Sequence, residues 1–344
     1  MDVIKAKGYN IFIGNDLISE LNIFLAKKKY QKSKIFILVD EKTHEFCLDR
    51  IIKDIPAFAN SEIIEVECGE DSKSIEICAN IWELLLSYEA DKNSLIINIG
   101  GGVITDLGGF IASTFKRGIL FINIPTTLLA MVDASVGGKV GINLGAYKNQ
   151  VGNFAKPEAV FISPIFIDTL EKRQINSGLA EVIKHAIIAD EKYFSYLEKN
   201  IGKSKIDWIE IISKSVSIKN AIVNKDYKES GDRKKLNFGH TFGHGIESFF
   251  INKGVDILHG EAIILGMKSE IELSEKYLEF KEKKRVFNLL KKLEHELNYK
   301  FKSTDIISYM KADKKNCENK ISFSLISEIG KCEVDNLVDP DVIN

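Results

Sequence analysis

The first half of the chain alternates strand-like and helix-like segments, and this pattern limits the possible folds more than any other feature. Residues 34–39 and 94–99 are mostly continuous apolar runs, typical of strands buried on both faces, and residues 62–67 alternate as a strand does. Residues 74–87 repeat apolar side chains at helical spacing. Strands that alternate with helices form right-handed βαβ units. The pattern therefore predicts an α/β domain with a mainly parallel sheet.

The second half of the chain has a different periodicity, which is helical from about residue 166 onward. Pro157 and Pro164 flank this change and place the boundary between two domains near residue 160. We expect an α/β domain over residues 1–160 and an all-α domain over residues 161–344. The predicted helices of the second domain are 176–189, 208–224, 241–250, 261–278 and 282–298.

Charge and cysteine content exclude several classes of function. Lys and Arg number 47 against 49 for Asp and Glu, so the net charge is only −2. This balance argues against nucleic acid or an anionic membrane as the main partner, since either needs a positive excess. No apolar run approaches the ~20 residues of a membrane helix. The five cysteines form no CxxC pair and the N-terminus has no signal-like segment, so we expect free thiols and a cytoplasmic protein.

A glycine-rich turn follows the strand at 94–99. Gly100, Gly101 and Gly102 would bring backbone N–H groups and a helix start close to a pyrophosphate. The turn lacks the GxGxxG pattern, so a tight turn made only for packing is the alternative. Other strand ends favour the cofactor, because polar residues follow them where open α/β sheets bind ligands. These residues are Asp40, Gly69, Glu70, Lys73, Thr126 and Thr127.

Three of the six histidines lie within twenty residues, which indicates a metal site. His240 and His244 are four residues apart and share a helix face, and His259 follows. Glu181 lies on a predicted helix among apolar residues and would complete a three-ligand site with an open position. The alternatives are buried, hydrogen-bonded histidines and a surface ion pair of Glu181 with Lys184. His185, in the same helix, fits a structural or supporting role.

A glycine-punctuated polar segment, AMVDASVGGKVGINLGAYKNQVGNF, links the two halves and reads as a loop. Its lysines and asparagines suit a substrate with carboxylate and phosphate groups, although such a segment in an arbitrary protein is more often a plain surface loop. Its polar residues include Asp133, Lys139, Asn143, Lys148 and Asn149. Further positive charge is available from Arg117, Arg233 and the pair Lys314–Lys315.

Five sequence blocks together resemble the 3-dehydroquinate synthase family. They are GGGVITDLGGFIASTFKRG, PTTLLAMVDASVGGKVGINLGAYKN, GLAEVIKHAIIAD, RKKLNFGHTFGH and HGEAIILGM, and a late Asp-Lys-Lys at 313–315 also fits. The blocks keep the family's order over roughly residues 35–330. The resemblance implies an N-terminal α/β NAD-binding domain, a C-terminal helical domain that binds metal and substrate, and a homodimer.

The resemblance also implies roles for individual residues. The metal, Zn²⁺ with Co²⁺ as an alternative, would be bound by Glu181, His240 and His259. The implied catalytic residues are Lys139, Lys184, Arg233 and His244. The implied substrate contacts are Asp133, Lys139, Asn149, Lys184, Arg233, Asn237, His244, Arg117 (reaching the neighbouring subunit's site) and either Lys315 or Lys314. The implied NAD contacts are Asp40, Glu70, Lys73, Gly101, Gly102, Asp106, Thr126, Thr127, Lys139, Lys148, Phe166 and Thr169.

Three positions depart from the family pattern. Met131 stands where glutamine is usual, Glu171 replaces a frequent proline, and Gln174 replaces a glutamate. None of them is in the metal trio or the basic substrate set.

The resemblance implies a lyase of the shikimate pathway that makes 3-dehydroquinate, for aromatic amino-acid biosynthesis. Its substrate is a small sugar-acid phosphate, 3-deoxy-D-arabino-heptulosonate 7-phosphate. The rival interpretations are another sugar-phosphate cyclase, a metal-dependent polyol dehydrogenase and a non-enzymatic protein.

Overall fold

The computed structural model describes residues 1–145, 147–294, 299–311 and 320–343. The chain divides into two compact units, which we call unit 1 (Met1–Glu171) and unit 2 (Lys172–Asn344). This division lies beyond the expected boundary at residue 160, because strand Ala159–Ile162 is hydrogen-bonded within the sheet of unit 1. Within the described ranges, every helix is too short or too polar to cross a membrane.

Unit 1 is built on a seven-stranded sheet in the order β1-β2-β9-β6-β5-β3-β4. Neighbouring strands are parallel except for the N-terminal pair β1–β2, so the predicted mainly parallel sheet is confirmed. Its strands are β1 (Asp2–Ala6), β2 (Tyr9–Ile13), β3 (Ile35–Asp40), β4 (Glu62–Val66), β5 (Leu95–Gly100), β6 (Leu120–Pro125) and β9 (Ala159–Ile162), and a separate hairpin contains β7 (Lys139–Leu144) and β8 (Tyr147–Phe154). The order reverses at β3 and β5, and open α/β sheets bind ligands beside the carboxyl ends of such strands.

The described part of unit 1 contains several α-helices, of which the longer ones bury apolar side chains. They are α1 (Leu17–Leu25), α2 (Glu41–Thr43), α3 (Asp49–Ile51), α4 (Ile75–Ser87) and α5 (Gly102–Thr114). Helix α4 begins where the sequence predicts, because the Ser74 hydroxyl accepts a hydrogen bond from the Ile77 amide as an N-cap. Leu85 of α4 and Leu107 of α5 join Leu38 and Ile96 of the sheet in one buried cluster.

The polar segment expected to be a loop forms the antiparallel hairpin β7–β8 from Lys139 onward. Gly141 and Gly152 lie opposite each other in its ladder. A Cβ on Gly141 would lie 2.8 Å from the Val151 carbonyl oxygen, and one on Gly152 would lie 2.5 Å from the Val140 carbonyl oxygen. The two strands therefore approach closely only because both positions are glycine. These glycines and the polar neighbours hide the strand alternation in the sequence.

Unit 2 is mainly helical, with one exception to the all-α expectation. Its helices are α6 (Lys172–Ala189), α7 (Glu191–Asn200), α8 (Trp208–Lys225), α9 (His240–Asn252), α10 (His259–Leu278), α11 (Lys283–Lys291) and α12 (Ser303–Lys311). An antiparallel pair, β10 (Ile321–Glu328) and β11 (Lys331–Val338), corrects the all-α expectation. Its side chains Phe323 and Leu325 belong to the same buried cluster as Phe242 of α9, so the hairpin adds to the core of this unit. The helix predicted over 282–298 ends at Lys291.

Glycines bring helix α10 against both α6 and α9. A Cβ on Gly260 would lie 2.1 Å from the Ser177 carbonyl oxygen of α6, and one on Gly266 would lie 2.0 Å from the carbonyl oxygen of Gly239. Glu270 of α10, a buried carboxylate, accepts hydrogen bonds from the amides of Gly239 (2.6 Å) and Thr241 (3.1 Å) at the start of α9. These contacts fix where α9 begins relative to α10, and each helix starts with a histidine of the predicted metal site.

Candidate active site

The glycine turn of unit 1 has a backbone geometry that suits a pyrophosphate. Strand β5 ends at Gly100, and Gly101 precedes the first residue of α5. A Cβ on Gly101 would lie 3.2 Å from Cγ2 of Thr127, and one on Gly102 would lie 3.3 Å from Cβ of Ala134, so side chains here would be crowded. Since Gly101 has no side chain to cap the helix, the first N–H groups of α5 remain available to an anion. A dinucleotide phosphate fits this cradle.

Residues at neighbouring strand ends surround this turn. Asp40 ends β3, and its Oδ1 accepts hydrogen bonds from the amide (2.7 Å) and hydroxyl (2.8 Å) of Thr43. Thr126 follows β6, and its amide donates to the Gly100 carbonyl oxygen at 3.0 Å, which ties two strand ends together. The Asp40 carboxylate is held at the strand end, where a carboxylate can accept hydrogen bonds from a ribose.

Lys73 connects three parts of unit 1. The side chain is buried, and its Nζ donates hydrogen bonds to Oδ2 of Asp106 at 2.7 Å and to Oδ1 of Asn149 at 2.6 Å. Asp106 lies in α5, and Asn149 lies in β8 with a left-handed φ of +53°. Nζ of a second lysine, Lys148, lies 3.9 Å from Oε2 of Glu70. Residues predicted to contact cofactor and residues predicted to contact substrate therefore meet within this unit.

The remaining predicted residues of unit 1 lie in turns or at strand ends. Phe166 and Thr169 belong to the short helix Pro164–Thr169, where the Thr169 hydroxyl donates to the Phe166 carbonyl oxygen at 2.9 Å. Asp133 lies in the π-helical turn Ala130–Ala134, and the departure Met131 is buried in the same turn. Lys139 is exposed at the start of β7, and Arg117 is exposed in a left-handed turn at φ +67°.

In unit 2, the three predicted metal ligands come together. Glu181 Oε1 of α6 lies 3.6 Å from Nε2 of His240 and 3.7 Å from Nε2 of His259. One ligand atom from each residue lies within 4.8 Å of the others, and Glu181 is fully buried. One carboxylate and two imidazoles form a donor set that catalytic zinc sites use, so the chemistry of these residues fits the metal.

Hydrogen bonds to the other ring nitrogens orient both histidines. Nδ1 of His240 lies 3.2 Å from the Phe238 carbonyl oxygen, and Nδ1 of His259 lies 3.3 Å from Oε2 of Glu247. With a metal bound, Nδ1 of each ring would donate its hydrogen to these oxygens and the Nε2 lone pair would face the ion, as metal-bound histidines require. Glu247 was not singled out in the sequence, although it lies on the same helix as His240 and seven residues after it.

His244 has a different position from the trio. Its ring lies 5.2 Å from that of His240 and 5.9 Å from that of His259, and the residue is exposed. The spacing of four residues suggested His240 and His244 as a ligand pair, but the second imidazole beside Glu181 is that of His259. His244 is therefore placed beside the trio, where its exposed ring can reach a ligand.

Charges around the trio move the histidine pKa values in opposite directions. Burial and the positive charge of Lys184 hold the pKa of His240 well below its ordinary value. Burial would also lower the pKa of His259, but the carboxylates of Glu247 and Glu181 raise it to about 10. Lys184 is itself buried and forms an ion pair with Glu181 one helical turn earlier. His185 is fully buried in the same helix, and its structural or supporting role stays a prediction.

A carboxylate organises the loop that presents Arg233. Asp226 Oδ2 accepts hydrogen bonds from the amides of Gly231 (2.7 Å) and Arg233 (3.1 Å), and Oδ1 accepts from the Ser230 amide (3.0 Å). These backbone bonds lower the pKa of Asp226 to about 2, against the opposing effect of burial. The Arg233 guanidinium is buried and donates to the Tyr227 carbonyl oxygen at 2.6 Å.

One predicted residue of unit 2 remains, and the structure adds a buried lysine that was not predicted. Asn237 donates from Nδ2 to Oε1 of Glu229 at 2.8 Å. Lys219 is buried in α8 and was not singled out in the sequence. The available signal was its position within the buried stripe that includes Ile212 and Val223, where a lysine is unusual. The predicted Lys314 and Lys315 lie outside the described residues.

Comparisons with known proteins establish the family. Residues 63–177 match the model of the 3-dehydroquinate synthase N-terminal domain, and residues 178–316 match that of the C-terminal domain. A 3-dehydroquinate synthase of Parabacteroides distasonis is 43% identical over 97% of this chain and 95% of its own length. The chain belongs to the 3-dehydroquinate synthase family, and the resemblance found in the motifs is confirmed.

Solved structures share the fold at lower sequence identity. A 2-deoxy-scyllo-inosose synthase complexed with carbaglucose-6-phosphate, NAD⁺ and Co²⁺ matches with a TM-score of 0.89 at 23% identity, over 99% of this chain and 98% of that chain. The 2-epi-5-epi-valiolone synthase of Streptomyces hygroscopicus subsp. jinggangensis, with NAD⁺ and Zn²⁺ bound, matches with a TM-score of 0.84 at 21% identity, over 100% and 96% of the two chains. At these identities the structures support the fold alone.

Proposed function

We propose that the protein converts 3-deoxy-D-arabino-heptulosonate 7-phosphate into 3-dehydroquinate and phosphate. The observation that carries this proposal is the group formed by Glu181, His240 and His259, whose ligand atoms lie within 4.8 Å of one another. This group occurs in a chain with full-length curated relatives of the same activity, which favour this substrate over those of other sugar-phosphate cyclases. The protein is thus an enzyme of the lyase class.

The residues of unit 1 would hold NAD, and the trio of unit 2 would hold Zn²⁺ or Co²⁺. Bound NAD supplies a transient hydride acceptor, and the bound metal supplies a Lewis acid that acidifies a hydroxyl. The N–H groups at the start of α5 would bind the pyrophosphate. Asp40 would accept hydrogen bonds from a ribose. The other proposed contacts are Glu70, Lys73, Gly101, Gly102, Asp106, Thr126, Thr127, Lys139, Lys148, Phe166 and Thr169.

Basic and amide side chains would bind the substrate and stabilise charge as it develops. Arg233 suits a carboxylate or phosphate because its planar guanidinium donates two parallel hydrogen bonds. Lys184 would stabilise an oxyanion, since its ammonium group is already desolvated beside Glu181. His244 would move a proton or contact the phosphate, because its exposed ring lies beside the trio, 5.2 Å from the ring of His240. The other proposed contacts are Asp133, Lys139, Asn149 and Asn237.

The reaction itself needs no net oxidation. Transient oxidation of the C5 alcohol acidifies the adjacent C–H bond, so that the phosphate leaves by β-elimination. The C5 carbonyl is then reduced again, the ring opens, and an intramolecular aldol reaction closes the carbocycle. The chain's own groups are required to orient the substrate and to exclude competing water throughout these steps.

The decisive experiment combines a phosphate assay with product identification. We expect purified protein with the heptulosonate phosphate, NAD⁺ and Zn²⁺ to release one phosphate for each 3-dehydroquinate formed. A different cyclic product in a panel of sugar phosphates would identify another cyclase. Sustained growth of NADH absorbance would identify a polyol dehydrogenase, and a metal-loaded protein that releases no phosphate would refute the proposal.

We also propose a cytoplasmic homodimer. The four described cysteines Cys47, Cys68, Cys78 and Cys332 are free thiols, as expected in a reducing compartment. Arg117 is exposed in a turn in which Lys116, Arg117 and Gly118 all have positive φ. The proposed contact of Arg117 with a neighbouring subunit is consistent with this exposure. Light scattering of the purified protein should give twice the monomer mass.

A further inference from the structure

Asn143 of β7 forms hydrogen bonds with three residues of the proposed binding sites. Its amide donates to the Lys73 carbonyl oxygen at 2.8 Å, and its Nδ2 donates to Oε1 of Glu70 at 3.0 Å. Its Oδ1 accepts from the amide of Asn149 at 2.9 Å. Glu70 and Lys73 belong to the proposed cofactor contacts, whereas Asn149 belongs to the proposed substrate contacts. One side chain therefore joins the two groups of residues.

The chemistry of the partners determines the orientation of this amide. The Glu70 carboxylate only accepts hydrogen bonds, and the Asn149 N–H only donates. A flipped Asn143 would turn its oxygen toward the carboxylate and its NH₂ toward another donor, so both bonds would be lost. Asn143 thus donates from Nδ2 to Glu70, a proposed cofactor contact, and accepts at Oδ1 from Asn149 of the hairpin.

The residue that Asn143 holds has an unusual backbone conformation. Asn149 has a φ of +53°, in the left-handed region that asparagine tolerates better than most side chains. Its amide is bonded to Asn143, and its side-chain oxygen accepts from Lys73 Nζ at 2.6 Å. Because both ends of the residue are fixed, the direction of its side chain depends on the Glu70–Lys73 turn.

We propose that Asn143 is a positioning residue that couples dinucleotide binding to substrate binding. It acts through Glu70 on the cofactor and through Asn149 on the substrate, and this inference rests on the proposed function. When NAD⁺ orders Glu70 and Lys73, Asn143 transmits that order to Asn149 through its two side-chain bonds. The coupling is reciprocal, as binding linkage requires.

Two substitutions separate the two sides of this residue. Asn143→Ala removes both side-chain bonds. It should raise the NAD⁺ dissociation constant about tenfold, the usual effect of losing a hydrogen bond to a charged group, and it should also raise the substrate KM. Asn143→Asp keeps an acceptor for the Asn149 amide but places a carboxylate against Glu70. It should weaken NAD⁺ binding at least as much while the KM, at saturating NAD⁺, stays within about twofold of the wild-type value.

Gln150→Ala is the matched control, because Gln150 is an exposed amide of the same hairpin whose side chain, within the described residues, donates to the nearby Lys148 carbonyl oxygen. Calorimetry with NAD⁺ and steady-state phosphate release, both on the full metal-loaded chain, give the two readouts. We expect the control to match the wild type in both. A KM raised equally by the Ala and Asp variants, unchanged NAD⁺ affinity in both, or an equal defect in the control would each overturn the proposal.

The binding readout distinguishes this inference from the proposed function. NAD⁺ affinity is measurable without turnover. A wild-type protein that releases no phosphate therefore refutes the proposed reaction, but the NAD⁺ dissociation constants of the wild type and the variants can still be compared. A wild-type protein that is active, with variants that bind NAD⁺ normally, refutes the role of Asn143 alone. If Asn143→Ala does not fold, Asn143→Asp, which has nearly the same shape, still tests whether NAD⁺ affinity falls while the substrate KM stays close to the wild-type value.

Discussion

In unit 1 the candidate binding residues follow different strands and depend on backbone shape, whereas in unit 2 the predicted metal ligands project from long helices as side chains. The turn at Gly100–Gly102 leaves little room for a Cβ, and the hydrogen bond from Lys73 to Asp106 joins a turn to helix α5. The trio of unit 2 instead uses one side chain from each of α6, α9 and α10. We therefore expect NAD⁺ binding by unit 1 to be weakened by added side-chain atoms. Metal binding by unit 2 should instead be weakened by the loss of functional groups.

The largest expected effect is the removal of a ligand from unit 2. Glu181→Gln keeps the size of the side chain but removes its charge, so we expect zinc affinity to fall by more than about 100-fold and phosphate release to be lost with it. Metal analysis after dialysis checks this. His44→Ala, at a partly exposed histidine of unit 1 that pairs with Glu65, is the control and should retain zinc. Full zinc content in Glu181→Gln would contradict its role as a ligand.

The next effect concerns the carboxylate behind His259. Glu247→Ala should lower zinc affinity about 10- to 100-fold, because the His259 ring loses the acceptor that orients it. Glu247→Gln keeps an acceptor for the His259 ring, so its zinc affinity should fall only a few-fold. Competition with a chelator measures both. Equal zinc affinity in the Ala variant and the wild type would show that the ring is oriented by other contacts.

The corresponding test in unit 1 adds an atom. A Cβ on Gly100 would lie 2.6 Å from Cβ of Ile104, so Gly100→Ala should destabilise the protein by about 1–3 kcal/mol and weaken NAD⁺ binding by shifting the start of α5. Thermal unfolding and calorimetry measure the two effects. Gly231→Ala is the control, since its Cβ would have only an ordinary contact at 3.9 Å. Normal NAD⁺ affinity in Gly100→Ala would show that the backbone cradle is not required.

The smallest effect is pH-dependent. The pKa of Asp226 is lowered from 3.8 to about 2 in the folded protein, so its ionised form stabilises the fold above pH ~4. This contribution is lost as the pH falls from 4 toward 2. Because the loop is partly exposed, we expect Asp226→Asn to cost only about 1 kcal/mol at pH 7. The difference in unfolding free energy between the two proteins should disappear near pH 2, and a difference independent of pH would contradict this account.

The same contrast explains what could be predicted from the sequence. The buried strand ending at Gly100 and the helix from Ser74 were predicted because local periodicity and capping depend on residues that are close together in the sequence. The β7–β8 hairpin was missed, since glycines 141 and 152 replace the alternating apolar pattern that marks a strand. The pairing of His259 with His240 is a tertiary contact between two helix starts, and spacing alone favours His244 instead. Glu247 shows the same difficulty, because its partner His259 lies on another helix.

The glycine contacts of α10 have a consequence for how a metal would arrive. The backbones at Gly239 and Gly266 touch, and the Nδ1 contacts of His240 and His259 orient rings whose centroids lie 5.4 Å apart. An ion would enter a largely rigid chelate and would cause little loss of chain entropy on binding. Selectivity would then come from the match between ionic radius and a fixed spacing, so that ions much larger than Zn²⁺ or Co²⁺ should be bound poorly.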